Sequence, residues 1–364
     1  MAFAAPPAPV PLLPVRTVWT LALNNQLTTP PVYDGTRAYF SLEGDRLVAY
    51  DIHSGAQQWM VSARPQSQPA AGEGLLFLVE PDALTALRTL DGSLAWQLPF
   101  AEPLVTRPVW DNGWLVVATA SGSILAFRAS DGQLIWRRDV GSPAHAPPAL
   151  AADRIYIPTT DNRIVALRVE GGEPVWERRL GGAPNEMLAL DDRLYVGSKD
   201  DFFYCLMTKD GRVAWRWRTG GDVIGAPIAD AHRVYFVALD NVLRALDRTS
   251  GAQRWLRALP LRPTWGPARA AGTIIVAGQA PALRAYNLAD GVAAGEVPAG
   301  AEVAAAPYTV EEPVSKLPMV LLITRDIAKG AAASLVARSV EPAITPVAPL
   351  PNAITLAPTL LVVK

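Results

Sequence analysis

The chain has 364 residues, half of them hydrophobic, with 33 Lys+Arg against 34 Asp+Glu and a net charge of −1. That balance, with no basic run, argues against nucleic acid or an anionic membrane surface as partner, and no apolar run reaches the ~18 residues of a transmembrane helix. The one cysteine, Cys205, excludes an internal disulfide framework and any multi-cysteine metal site, while 33 prolines and 27 glycines suit short strands and tight turns.

Residues 1–15 form a proline-rich tail. Its Ala2-Phe3-Ala4 triplet is the small-residue pattern a signal-peptide cleavage site leaves behind, so the expectation is an exported, periplasmic protein with Met1 as an added start. A strand follows at 16–23, carrying Trp19.

From there a repeat governs the chain. A short apolar motif with a small central residue recurs as LVAY (47–50), LTAL (84–87), ILAF (124–127), IVAL (164–167), FYCL (203–206), LRAL (243–246) and LRAY (283–286). The small residues, from Ala49 through Cys205 to Ala285, stand 37 to 40 positions apart, and six residues after each comes a glycine: Gly55, Gly92, Gly132, Gly172, Gly211, Gly251 and Gly291. Four residues further stands a tryptophan in six copies, Trp59, Trp96, Trp136, Trp176, Trp215 and Trp255, and Gly295 in the seventh. The apolar motif reads as a strand and the glycine as a hairpin closed at φ > 0. The tryptophan reads as a flat surface packing on the neighbouring sheet. Two more strands per copy, such as PVWDNG (108–113) and WLVVAT (114–119), complete four short antiparallel strands in about 40 residues, which is one propeller blade.

Both chain ends enter the count. Trp19 lies as far ahead of Pro31 as Trp96 does ahead of Pro108, so the strand at 16–23 is the outer strand of a blade whose other strands lie elsewhere. PYTV (307–310), LPMVLLIT (317–324) and SLVARS (334–339) supply them, with Ala337 in the small-residue place. The reading is an all-β, eight-bladed propeller over residues 16–340, its last blade closed by the N-terminal strand, which removes free sheet edges. Seven blades is the alternative if the last does not form. Residues 341–364 form a C-terminal tail without an assigned place.

These repeats resemble the pyrroloquinoline-quinone (PQQ)-like propeller family. The resemblance implies one of two roles: a quinoprotein dehydrogenase carrying PQQ and Ca²⁺, or a BamB-like protein of outer-membrane assembly, similar in size and without a cofactor. The dehydrogenases pair vicinal cysteines against the quinone; Cys205 is alone, in a slot that alanine fills in the other copies, and reads as a small core residue. No set of converging carboxylates suggests calcium. The expected function is a monomeric, non-catalytic scaffold with a protein partner and no cofactor, either BamB-like in outer-membrane assembly or a subunit of another periplasmic complex; the alternative is a PQQ-dependent or other ligand-binding or enzymatic propeller using the channel mouth.

Most copies approach the inner strand through a proline preceded by small residues or another proline. Gln68, Arg107, Asn185 with Glu186, and Trp265 break that pattern, which makes them the candidate channel-mouth interaction residues. Met187 replaces the proline of its copy. An acidic series at the loops of the same face, Glu43, Asp45, Asp82, Asp161, Asp200, Asp201, Asp240 and Asp326, could steer a basic partner, though Asp is also a common turn former. His53, His145 and His232 lack partners at catalytic spacing.

Overall fold

The computed structural model describes residues 12–313, 315–325 and 333–340. Seven four-stranded antiparallel sheets follow one another along the chain, at 32–62, 70–99, 109–139, 149–179, 184–218, 223–258 and 268–298 (blades 1 to 7). In blade 8 the inner strand is split into Glu302–Val303 and Tyr308–Glu311, both pairing with Pro318–Arg325; Ala333–Val340 and the N-terminal strand Val15–Ala22 complete it. The result is an eight-bladed propeller closed by its N-terminal strand, with Trp19 paired to Ala337 as Trp59 is to Ala49. No helix occurs among the described residues.

Pairing explains why the central residue of each apolar motif is small. In blade 1, Tyr39 pairs with Ala49 and Ala49 with Trp59, and the Tyr39 and Trp59 rings meet over the alanine with centroids 5.7 Å apart. Phe77–Trp96, Tyr156–Trp176, Tyr195–Trp215 and Tyr235–Trp255 repeat that arrangement. A larger middle side chain would part the two rings. Cys205 fills this place between Tyr195 and Trp215, fully buried, and burial pushes its thiol up to about 11. It is a packing residue rather than a nucleophile.

Each tryptophan then docks on the next blade. An irregularity beside it in the outer strand, as between Ala126 and Phe127 opposite Trp136, re-aims the indole. Trp136 Nε1 donates to Val169 O at 2.7 Å, and Trp19, Trp59, Trp96, Trp176 and Trp215 donate likewise to His53, Thr89, Ala129, Thr208 and Arg248 carbonyls. Below the Trp136 ring lies Gly172 at φ +71°; a Cβ there would stand 2.7 Å from Trp136 Cε3. The glycine therefore serves both the left-handed turn and the flat bed for the indole.

Blade 7 lacks its tryptophan, and the chain's own N-terminal segment fills the space. Leu13 Cδ1 lies 3.0 Å from where a Cβ on Gly295 would be. Leu12 is fully buried among Leu283, Val297 and Val320, and its N–H donates to Thr273 Oγ1. The expected tail of residues 1–15 thus contributes core at Leu12. Residues 1–11, with the Ala2-Phe3-Ala4 triplet, and residues 341–364 lie outside the described residues.

Candidate functional site in the central channel

Each inner strand is reached by a short segment that first pairs with the end of the second strand and then turns along the channel. In blade 3 the segment runs from Leu104, bridged to Thr119, to Val109, paired with Val116. Val105, Thr106, Arg107 and Pro108 lie between. In blade 5 the corresponding points are Pro184 and Leu188, with only Asn185, Glu186 and Met187 between them. The shorter segment brings Glu186 into line with Arg107 and Gln68, one residue ahead of the proline place. Met187, in that place, is buried in the core beneath Leu180 and Tyr204.

This line of residues faces a central cavity of about 690 Å³. Gln68, Arg107, Glu186 and Trp265 are all in its wall, together with Tyr33, Thr264 and Tyr308 and the small or proline residues of blades 1, 6, 7 and 8. Gln68 is half-buried, and its Nε2 donates to Pro31 O at 2.7 Å, which ties blade 2 to blade 1. Arg107 and Glu186 are half-buried, and neither forms an ion pair with any described residue. Trp265 is half-buried rather than free on the surface; it separates the central cavity from a smaller one of about 230 Å³ beside Glu302 and Arg325, and packs against the cluster that holds Leu12.

Asn185 is not in the cavity wall. Its Nδ2 donates to Val223 O of blade 6, and its side chain also meets His145 of blade 4, so it braces three adjacent blades. Burial and the nearby Lys199 hold the His145 imidazole below its ordinary range, against the contact with Asn185. Sequence reading passed over Tyr33 and Tyr308, which join Trp265 as the aromatic part of the wall; a tyrosine one or two residues after the proline, in Pro31-Val32-Tyr33 and Pro307-Tyr308, is a weak signal, because Trp110 holds the same place in blade 3 without lining the cavity. Burial, and then the neighbouring Tyr308, raise the Tyr33 hydroxyl well above the usual phenol range, and no described residue accepts from or donates to it.

Four members of the acidic series, Asp45, Asp161, Asp200 and Asp240, have internal partners. Asp161 pairs with Arg163 at 2.7 Å, Asp45 with Arg64 at 3.6 Å, and Asp240 with Arg244. Asp240 also accepts the Gly220 N–H, and Asp200 accepts the Gly181 N–H and the Tyr204 hydroxyl. Asp200 and Asp240 thereby anchor the loops that lead from one blade to the next, and Asp45, Asp161 and Asp240 each have an arginine beside them. Asp326 lies outside the described residues.

The residues present do not fit a PQQ–calcium pair. Such a cofactor needs a divalent ion at its reactive carbonyl and a flat clamp above and below. Among the described residues no group of three or more His, Cys, Asp or Glu converges to hold a metal. Asn185 is spent on Val223, and Cys205 sits inside the blade 5 sheet, away from the channel wall.

Eight four-stranded blades, docked to one another by tryptophan on glycine and closed by the N-terminal strand, define a PQQ-type propeller. A family model described as outer membrane protein assembly factor BamB matches residues 16–108, 103–190 and 185–314, and the chain belongs to that family. Comparison with curated proteins returns no match in sequence. Among solved structures, BamB from Moraxella catarrhalis superposes with a TM-score of 0.70 at 17% identity, covering 89% of this chain and 99% of that one. The quinohemoprotein alcohol dehydrogenase of Comamonas testosteroni gives 0.66 at 14% identity, covering 89% of this chain and 76% of that one. A europium-containing methanol dehydrogenase gives 0.71 at 12% identity, covering 89% and 93%. At these identities the likeness is one of fold, shared by assembly factors and dehydrogenases.

Proposed function

We propose that this chain is an exported, non-catalytic propeller scaffold that docks a protein partner in outer-membrane protein assembly. The observation that carries this reading is the BamB family match, which runs through the repeats from residue 16 to residue 314. Two features support it. The channel residues do not fit the cofactor of the dehydrogenases that share the fold. The outer strands and hairpins of blades 1 to 3 expose large apolar side chains, Met60, Leu90, Leu94, Leu134 and Ile135, with Leu90 71% exposed. Apolar surface left on a rigid rim is what a protein partner covers. No helix of the described residues is long and apolar enough to cross a membrane.

The test is cross-linking in native envelopes followed by purification on the tagged chain. Recovery of an outer-membrane assembly component, weakened by Leu94→Asp with Leu134→Asp, is the expected result. Recovery of the chain alone from soluble periplasm, or with alcohol-oxidising activity, would refute the reading.

A further inference from the structure

Two charges of opposite sign stand without partners in one cavity wall, and this is the least explained feature of the molecule. Arg107 on blade 3 and Glu186 on blade 5 are each half-buried, yet they lie too far apart to pair with one another and pair with no other described residue. By contrast, Arg163 is answered by Asp161 and Glu177, and Arg244 by Asp240. Both charges face the cavity, so an occupant that displaces their water has to answer both, since desolvating a charge without compensation is costly. A neutral sugar can hydrogen-bond both groups but neutralises neither charge, and a simple anion leaves Glu186 unmatched.

We propose that the central cavity binds a short peptide with free termini, its carboxylate on Arg107 and its ammonium on Glu186. Arg is suited to the bidentate capture of a carboxylate, and Glu accepts from an ammonium. Between the two charges the wall offers what a peptide backbone and side chains need. The Gln68 amide nitrogen is committed to Pro31 O, which leaves its oxygen to accept a peptide N–H. Trp265 supplies a flat apolar face for a side chain. The volume, about 690 Å³, lies inside the range of roughly 300–1,000 Å³ typical of ligand pockets and exceeds the needs of a single amino acid. The inference does not depend on the scaffold reading, because the wall it uses is separate from the exposed rim of blades 1 to 3.

Calorimetric titration of the full chain with Ala-Phe-Ala tests it. The free tripeptide should saturate the protein, and Arg107→Gln and Glu186→Gln should each weaken it by about tenfold or more, the loss expected for one charge-assisted contact. The N-acetylated peptide should be insensitive to Glu186→Gln, and the C-amidated peptide insensitive to Arg107→Gln. Thermal melts of both variants should match the parent, since neither residue sits in an ion pair. No saturation at millimolar peptide, or equal binding of the doubly capped and free peptides, would overturn the proposal.

Discussion

Tyr33 and Tyr308 stack face to face across the seam of the ring, with centroids 4.1 Å apart and planes 7° from parallel. They belong to the inner strands of the first and last blades. At the rim of the same seam Trp19 donates to His53 O at 2.8 Å and lies against Gly55. The seam is thus joined at the channel and at the periphery, while Leu12 and Leu13 close the neighbouring junction between blades 7 and 8.

Seam variants should therefore loosen one region only. Trp19→Ala is expected to expose Val15–Ala22 to limited proteolysis and leave amide exchange in blades 3 to 5 unchanged. Leu12→Ala should cost about 2–4 kcal/mol, in line with other fully buried leucines. Removing Leu12 and Leu13 is accordingly expected to be harmful, although the sequence reads this segment as an unpacked tail. A denaturation midpoint equal to the parent's for Leu12→Ala would show the junction to be dispensable.

Within the ring, the tryptophan–glycine contact should be two-sided. Trp136→Ala is expected to cost about 3–5 kcal/mol, whereas Trp136→Phe, which keeps an aromatic ring but loses part of the indole and the bond to Val169 O, should cost less, about 1–3 kcal/mol. Gly172→Ala should destabilise by more than about 1 kcal/mol, since it combines a left-handed backbone with a Cβ against the indole. If Gly172→Ala costs no more in the parent than in the Trp136→Ala background, the indole contact is not what demands the glycine.

The repeat and its closure were legible because each blade states them again: Ala49, Gly55 and Trp59 reappear in register, and Ala337 with Trp19 completes the series at the ends. What the spacing could not show was the other half of each contact. Tyr39 meets Trp59 across two strands, and nothing local in either segment announces it. The channel residues divided for the same reason. Gln68, Arg107, Glu186 and Trp265 share the cavity wall because they interrupt a pattern, and interruptions are visible in sequence. Asn185 interrupts it too, but the residue missing from blade 5 turns it toward Val223 and His145, and that rotation depends on three-dimensional pairing. Leu12 looked like tail because its partner, the empty place at Gly295, is far along the chain.

Stability should fall in acid through two matched turns. Asp34 accepts the Tyr39 hydroxyl at 2.6 Å with the Thr36 and Arg37 amides, and Asp230 accepts the Tyr235 hydroxyl at 2.6 Å with the His232 and Arg233 amides. Burial pulls both carboxyls up, but these donors outweigh it and hold them below the usual range. A carboxyl depressed in the folded state contributes stability that is present above its unfolded value, about 3.9, and is lost as pH falls through the folded one. Denaturation midpoints from pH 7 to pH 3 should therefore drop below about pH 5, and less steeply in the Asp34→Asn, Asp230→Asn double variant. Parallel profiles for parent and variant would dissociate acid sensitivity from these turns.

The chain should not behave as a quinoprotein. Titration with PQQ and Ca²⁺ at micromolar concentrations is expected to give no saturable heat, and dye-linked alcohol oxidation to stay at the blank rate. Saturable binding abolished by Glu186→Ala would instead make the channel an active site.

Closure by the N-terminal strand has a consequence for how the molecule is made. Thr17 meets Arg338 across 321 positions of sequence, so the last sheet cannot form until almost the entire chain has been synthesised. Pairing at such separation carries the full entropy of closing a long loop and is intrinsically slow. Until then the strand around Trp19 and the side of blade 1 that it covers, Gly55 with its hairpin, remain uncovered together. The early product of synthesis is a row of blades open at both ends, with unpaired edges that can add to another copy. Protection of the incomplete chain, rather than any property of the finished ring, is then expected to limit the yield of folded protein.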